Sequence, residues 1–223
     1  MFFDFEKYYN RKIPSKQVFI DVGANKGHWF HKINKIYPKS KIYAVEPIKG
    51  ITKAKQNVTI LNMAIDIKGG LTKNFYITRE KVTSSLLQQE RSIIDKFITF
   101  KDKKGLIHKK SDYDVVKKIK IKTIRLDKII KEHKLKEVHY LKIDSEGNDL
   151  NVLKSLGKEI KKIWGFELET WNEKKTLWKK QHWVKDCEKF IKKSGFQIVR
   201  KFVHGKGRST DLLCIRKDLV KFI

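Results

Sequence analysis

The chain has 223 residues, 40% of them apolar and 11% aromatic, which suits one domain with a full hydrophobic core and excludes a disordered polar segment. Its formal net charge is +27, from 52 basic against 25 acidic residues, so an anionic partner is one reading. The other reading is compositional: 45 of the basic residues are lysines spread along the whole chain and only seven are arginines, the better residue for bidentate phosphate contact.

No apolar run reaches the roughly 18 residues needed to span a bilayer. The start, Met1-Phe2-Phe3-Asp4-Phe5-Glu6, is acidic and aromatic, unlike a signal peptide. Cys187 and Cys214 are the only cysteines and show no metal-ligand spacing. The expectation is a single cytoplasmic domain over residues 1–223 with two reduced thiols.

Residues 1–15 read as a lead-in ending near Pro14. A β-prone run at 17–22 leads through a glycine-bearing turn into a helix over 28–37, where Trp29, Phe30, Ile33, Ile36 and Tyr37 recur at three- and four-residue steps. Pro38 closes that helix, a second strand covers 41–45, and Pro47 stops it. A short helix over 49–56 and a brief strand over 58–61 follow. Between 66 and 122 the pattern is weaker: Phe75-Tyr76-Ile77 alternates like a strand, Thr83-Ser84-Ser85 reads as a loop, 101–114 as an exposed loop, and 118–125 as a half-buried strand. Asp127 is placed to cap the next helix. A central strand spans 138–143, a helix 149–156 ends at Gly157, and a strand covers 163–168. An amphipathic helix is predicted over 173–194, with closing strands at 196–203 and 212–216 joined by the Gly205-Lys206-Gly207-Arg208 turn. Strands alternate with helices until two strands end the chain, so the fold class is α/β, a mainly parallel sheet with an antiparallel edge strand.

The chemistry gathers in the turns. The first loop, Asp21-Val22-Gly23-Ala24-Asn25-Lys26-Gly27, has Asn25 between its glycines, so it matches neither the dinucleotide fingerprint nor a Walker loop. Its glycines still let a ligand approach the backbone, though an ordinary strand-to-helix turn looks the same. Glu46 ends the second strand, where such sheets grip the two ribose hydroxyls with one carboxylate. The third turn, Asp144-Ser145-Glu146-Gly147-Asn148-Asp149, puts Asp144 and Glu146 two apart at the end of a buried strand. One would hold a cofactor and the other take a proton; Asn148 or Asp149 would serve as a helix cap.

Phe19-Ile20-Asp21-Val22-Gly23-Ala24-Asn25-Lys26-Gly27, Val45-Glu46-Pro47, Leu126-Asp127, Leu141-Lys142-Ile143-Asp144-Ser145-Glu146-Gly147 and Phe166-Glu167-Leu168-Glu169, in that order over about residues 17–170, resemble the FkbM family of S-adenosylmethionine-dependent methyltransferases. One departure is Asp149, where the family usually has glutamate. The resemblance implies a Rossmann-like class I methyltransferase fold with a seven-stranded sheet and helices on both faces. It implies S-adenosyl-L-methionine as cofactor and O-methylation of a hydroxyl, often of a sugar. Asp21, Gly23, Asn25 and Gly27 would line the methionine part. Glu46 would hold the ribose, Asn62, Met63 and Ala64 would flank the adenine, and Asp144 would sit by the sulfonium.

The candidate catalytic residues are Asp144, Glu146 and Glu169, with Glu146 as the expected proton acceptor. His28, His182 and His204 are alternative bases, although a lone histidine is more often structural. Asp144 and Glu146 with Glu167 and Glu169 have the donors to chelate a divalent metal such as Mg²⁺, a site not expected to be used. The expected partner is a small-molecule or glycan hydroxyl acceptor, with an anionic one suiting the charge. Trp171, Trp178 and Trp183 would offer a sugar platform or simply pack. An RNA ribose 2′-O-methyltransferase is less favoured, because the fifth strand ends in Glu167 and Glu169 and not in lysines. The remaining alternative is a cofactor-binding partner subunit without catalysis.

Overall fold

The computed structural model describes residues 3–53, 56–97, 99–101 and 107–221. The first half runs β1 (Val18–Val22), α1 (His28–Ile36), β2 (Lys41–Val45), β3 (Val58–Leu61), β4 (Ala64–Ile65), β5 (Thr72–Thr78), α2 (Arg91–Phe97), β6 (Thr99–Lys101) and β7 (Ile107–Lys109). The second half runs β8 (Val115–Ile124), α3 (Leu126–Glu132), β9 (Tyr140–Ile143), α4 (Asp149–Lys154), β10 (Gly165–Trp171), α5 (Val184–Lys193), β11 (Phe196–His204) and β12 (Ser209–Arg216).

Seven strands form one sheet in the order β11-β12-β10-β9-β1-β2-β3. β1 lies parallel to both β2 and β9, and β10 lies parallel to β9. β12 runs antiparallel to β10 on one side and β11 on the other. The antiparallel strand therefore stands one place in from the edge. After β1 the chain builds outward through β2 and β3, then returns to the other side of β1 with β9. That reversal makes a crevice at the carboxyl ends of β1 and β9, the usual ligand position in open α/β sheets.

Both faces of the central strands are covered, so β1 and β9 read as nearly unbroken apolar runs. On one face Ile20, Leu141, Ile143 and Phe166 pack against Ile129 of α3, Leu153 of α4 and Cys187 and Ile191 of α5. On the other, Phe19, Ile42 and Tyr140 meet Trp29, Phe30 and Ile33 of α1. The lead-in finishes this second face. Phe5 stacks on Tyr140 with ring centroids 4.0 Å apart, and the Tyr9 hydroxyl donates to the His139 carbonyl at 2.7 Å.

Several expected elements differ. The described part of 49–56 forms turns, with no helix. Within 101–114, β6 and β7 pair antiparallel and a 3-10 turn follows over Lys110–Tyr113; residues 102–106 of that expected loop lie outside the described residues. The helix expected over 173–194 exists only as α5. Upstream of it, Leu177 and Trp178 turn inward to pack with Ile93 and Ile94 of the unforeseen α2. A continuous helix would carry those two side chains away from that contact. Asp127 is not a cap either: it lies inside α3 and pairs with Arg125 and Lys131. β4, β8 and β5 form a separate small sheet beside the crevice.

Candidate functional site

The carboxyl ends of β1, β2 and β9 enclose a cavity of ≈ 240 Å³. Of the residues picked out in the sequence, Gly23, Asn25, Glu46, Ala64, Asp144 and Glu146 all line it. Gly23 explains how the walls come so close. It has φ +77°, and a Cβ there would stand 1.8 Å from the Asp144 carbonyl oxygen. No side chain fits, and the backbone itself forms the cavity floor.

Glu46 is 4% exposed at the end of β2. One carboxylate oxygen accepts from the Asn25 N–H at 2.8 Å and the other from the Ile48 N–H at 2.8 Å. Each oxygen keeps a further lone pair, so the group is fixed in place and still able to accept two hydroxyls. Burial pushes its carboxyl up, and the two N–H donors oppose that shift. Asn62 does not line the cavity. Its amide donates to the Glu46 carbonyl at 3.0 Å and so steadies the strand end, while Met63, Ala64 and Ile65 form the wall.

Asp21 lies beneath the cavity, fully buried, with its carboxylate 3.2 Å from the Lys142 ammonium. Lys142 also reaches Asp144 at 3.2 Å and the Gly23 carbonyl at 3.3 Å. Burial alone would lower this ammonium, but the carboxylates of Asp144, Asp21 and Glu167 outweigh it and hold Lys142 well above its ordinary value. Asp21 is pushed up by burial, with Lys142 pulling against it.

The turn after β9 is held by Asp149. Its two carboxylate oxygens accept from the Ser145 and Gly147 N–H groups, each at 3.0 Å. That pins Glu146 in a left-handed conformation, φ +53°, at the cavity wall. Burial pushes Asp149 up to about 6 against those two hydrogen bonds. Glu146 is pushed well above the usual carboxylate range, first by burial and then by Asp144, Glu169 and Asp149. Gly147 packs under the Trp178 indole, where a Cβ would meet the ring at 2.3 Å.

Residues 21–207 match the model of the methyltransferase FkbM domain. The chain belongs to the FkbM methyltransferase family. No curated protein sequence matches it. Among solved structures it is similar to the methyltransferase FkbM from Methylobacillus flagellatus KT, at 13% identity and TM-score 0.49, covering 94% of this chain and 47% of that one. The chain thus spans about half the length of that protein. A SAM-dependent methyltransferase from Aquifex aeolicus aligns at 12% identity and TM-score 0.39, covering 91% and 85% of the two chains. A fibrillarin/Nop5p complex aligns at 12% and 0.44, covering 94% and 77%.

Four sequence-selected residues of this FkbM-family chain stand outside the cavity: Asp21 and Asn62, described above, Gly27 and Glu169. Gly27 has φ +83° and packs beneath the Phe30 ring, where it shapes the loop. Glu169 belongs to a second cluster. Its carboxylate lies 3.6 Å from the His204 Nε2, which also meets Asp211 at 3.2 Å. Burial and the neighbouring carboxylates of Asp211 and Asp144 push Glu169 up to about 8, with His204 opposing them. His204 is raised by its hydrogen bond to Asp211. Glu167 is drawn away, accepting from the buried Tyr140 hydroxyl at 3.1 Å, so Asp144, Glu146, Glu167 and Glu169 do not assemble as one four-carboxylate donor set. His28 lines the cavity. His182 stands at 3.6 Å from Asp186.

Sequence reasoning missed the outer wall. Lys81, Val82, Ser84 and Leu86, after β5, close the cavity from the side. Ser85 fastens that wall by donating to the Glu146 carbonyl at 2.7 Å. The Thr83-Ser84-Ser85 run was the available signal, since clustered hydroxyls commonly bond to nearby backbone. Of the tryptophans that would offer a sugar platform or simply pack, Trp171 and Trp178 pack, buried in a small core.

Proposed function

We propose that this chain is an S-adenosylmethionine-dependent O-methyltransferase acting on a hydroxyl of a sugar or glycan, working in the cytoplasm. The observation that carries the cofactor reading is Glu46. It is a buried carboxylate with one lone pair left on each oxygen, facing a cavity whose floor is bare backbone at Gly23. That pair of acceptors suits a ribose diol and disfavours a phosphorylated one. Ser145 adds a hydroxyl that is buried at the cavity wall with no protein partner. Met63, Ala64 and Ile65 give an apolar wall for a flat base. The residues fit the cofactor.

Bound there, S-adenosylmethionine would supply an electrophilic methyl group and a neutral thioether leaving group. The protein's part is alignment and proton handling. Lys142 keeps Asp144 and the Gly23 carbonyl at fixed positions on the cavity floor. Glu146 takes the proton from the attacking hydroxyl; burial and its acidic neighbours let it hold that proton more firmly than an ordinary carboxylate. Glu169 marks the side from which the acceptor approaches.

Calorimetric titration with S-adenosylhomocysteine tests the cofactor reading. Wild type should bind, and Glu46→Ala should lose about 100-fold in affinity, the worth of two charge-assisted hydrogen bonds. No binding by wild type would sink the whole reading. For the base, Glu146→Gln should lower kcat by about 10²–10⁴-fold with little change in cofactor affinity. Full turnover in that variant would move the role elsewhere.

A further inference from the structure

We infer that Glu169, His204 and Asp211 form a divalent-cation site at the edge of the sheet, separate from the cofactor cavity and suited to an ion of the Zn²⁺ or Mn²⁺ class. Three neighbouring strands supply the donors. Glu169 of β10 and Asp211 of β12 are direct partners across an antiparallel pair, so their side chains leave the sheet on the same face. Like charges placed directly opposite destabilise such a pair unless something positive lies between them. His204, at the end of β11, brings Nε2 to 3.2 Å from Asp211 and 3.6 Å from Glu169.

Those spacings match coordination. Donors about 2.1 Å from a tetrahedral ion stand about 3.4 Å from one another, and the two measured separations fall on either side of that value. One donor atom from each of the three residues lies within 4.8 Å of the others. The side chains are 34%, 32% and 20% exposed for Glu169, His204 and Asp211, so an ion can enter and retain water or an exchangeable ligand. One imidazole nitrogen with two carboxylates favours a borderline ion over Ca²⁺ or Mg²⁺, which take oxygen donors. The setting favours a cation as well. In a chain of net charge +27, the carboxylates of Asp211, Asp144 and Asp149 lie close enough to Glu169 to push it up, and those of Asp144, Glu169 and Asp149 do the same to Glu146. A bound ion at this place would meet an acceptor hydroxyl approaching from the Glu169 side; that use, unlike the binding itself, rests on the methyl-transfer reading.

The test is direct metal binding. Chelator-treated, dialysed full chain is titrated with Zn²⁺ and separately with Mn²⁺ by calorimetry, with Mn²⁺ paramagnetic resonance as a second readout. The expected result is one ion per chain, with affinity reduced at least tenfold in both His204→Ala and Asp211→Asn. Titration of the same variants with S-adenosylhomocysteine should match wild type, which shows that they are folded and reports on the cofactor reading independently. No saturable binding of either ion up to about 1 mM, weaker than roughly −4 kcal/mol, overturns the inference. So does a His204→Ala variant that binds metal like wild type. In either case the cluster is His204 hydrogen-bonded to Asp211 beside Glu169.

Discussion

Lys142 shows how much one side chain can fix. Its ammonium is 5% exposed and holds Asp21, Asp144 and the Gly23 carbonyl. Removing one member of a buried pair leaves the other charge uncompensated. Lys142→Met should therefore cost about 3–5 kcal/mol, read as a lowered urea midpoint. Adding Asp21→Asn should recover much of it, because the stranded carboxylate is then gone. The clue in the sequence was a lysine between Leu141 and Ile143 in a strand expected to be buried on both sides. Such a lysine needs anionic partners, but a strand pattern does not say which neighbours supply them. The pairing with Asp21 depends on β1 and β9 lying side by side in register, Asp21 opposite Lys142. Glu46 was legible for the opposite reason: its place depends on one strand end and a known kind of sheet.

Elements were legible where one local pattern decides them. β1, α1, β2 and α4 lie within the predicted spans, because apolar periodicity and turn residues agree there. The 173–194 span failed because Leu177 and Trp178 answer to α2, some eighty residues away, and not to their own neighbours. The cavity's outer wall was missed for a similar reason, since Ser85 takes its meaning from its hydrogen bond to Glu146. The meeting of β10, β11 and β12 also sets a pH response. Glu169 sits at about 8 in the folded chain, above the ~4.3 of a free glutamate. Its contribution to stability is thus complete below about pH 4 and is lost as pH rises through about 8. With chelator present, Glu169→Gln should gain thermal stability relative to wild type at pH 9 but not at pH 5. An equal difference at both values would mean that Glu169 titrates normally.

At the scale of the whole molecule, the fold and the family were readable while the acceptor was not. Acceptor choice lies in how loops from different strands converge, and the large positive charge does not choose among anionic partners. Much of that charge is exposed lysine, as along β8, where Lys117, Lys118, Lys120 and Lys122 all face solvent. Attraction of this kind is carried by counterion release and falls steeply with salt. Single-stranded RNA should bind at low ionic strength and lose nearly all affinity by about 150–200 mM salt. Binding that survives those conditions would favour RNA as the methyl acceptor over a sugar. Among the described residues, no helix is long and apolar enough to cross a membrane.

The lead-in described with the fold has one more effect. Tyr9 bridges to Val220, the Asn10 N–H donates to the Leu219 carbonyl at 2.9 Å and the Lys221 N–H to the Tyr8 carbonyl at 2.8 Å. The α1 face of the sheet is thus stitched shut by segments more than two hundred residues apart, and a ribosome delivers the second of them long after the first. Until then Phe5, Tyr9 and Trp164 lack part of their cover. A chain stopped after Arg216 should bind a hydrophobic dye that the longer chain excludes. During synthesis, this seam leaves the aromatic face open to aggregation until residues 219–221 arrive.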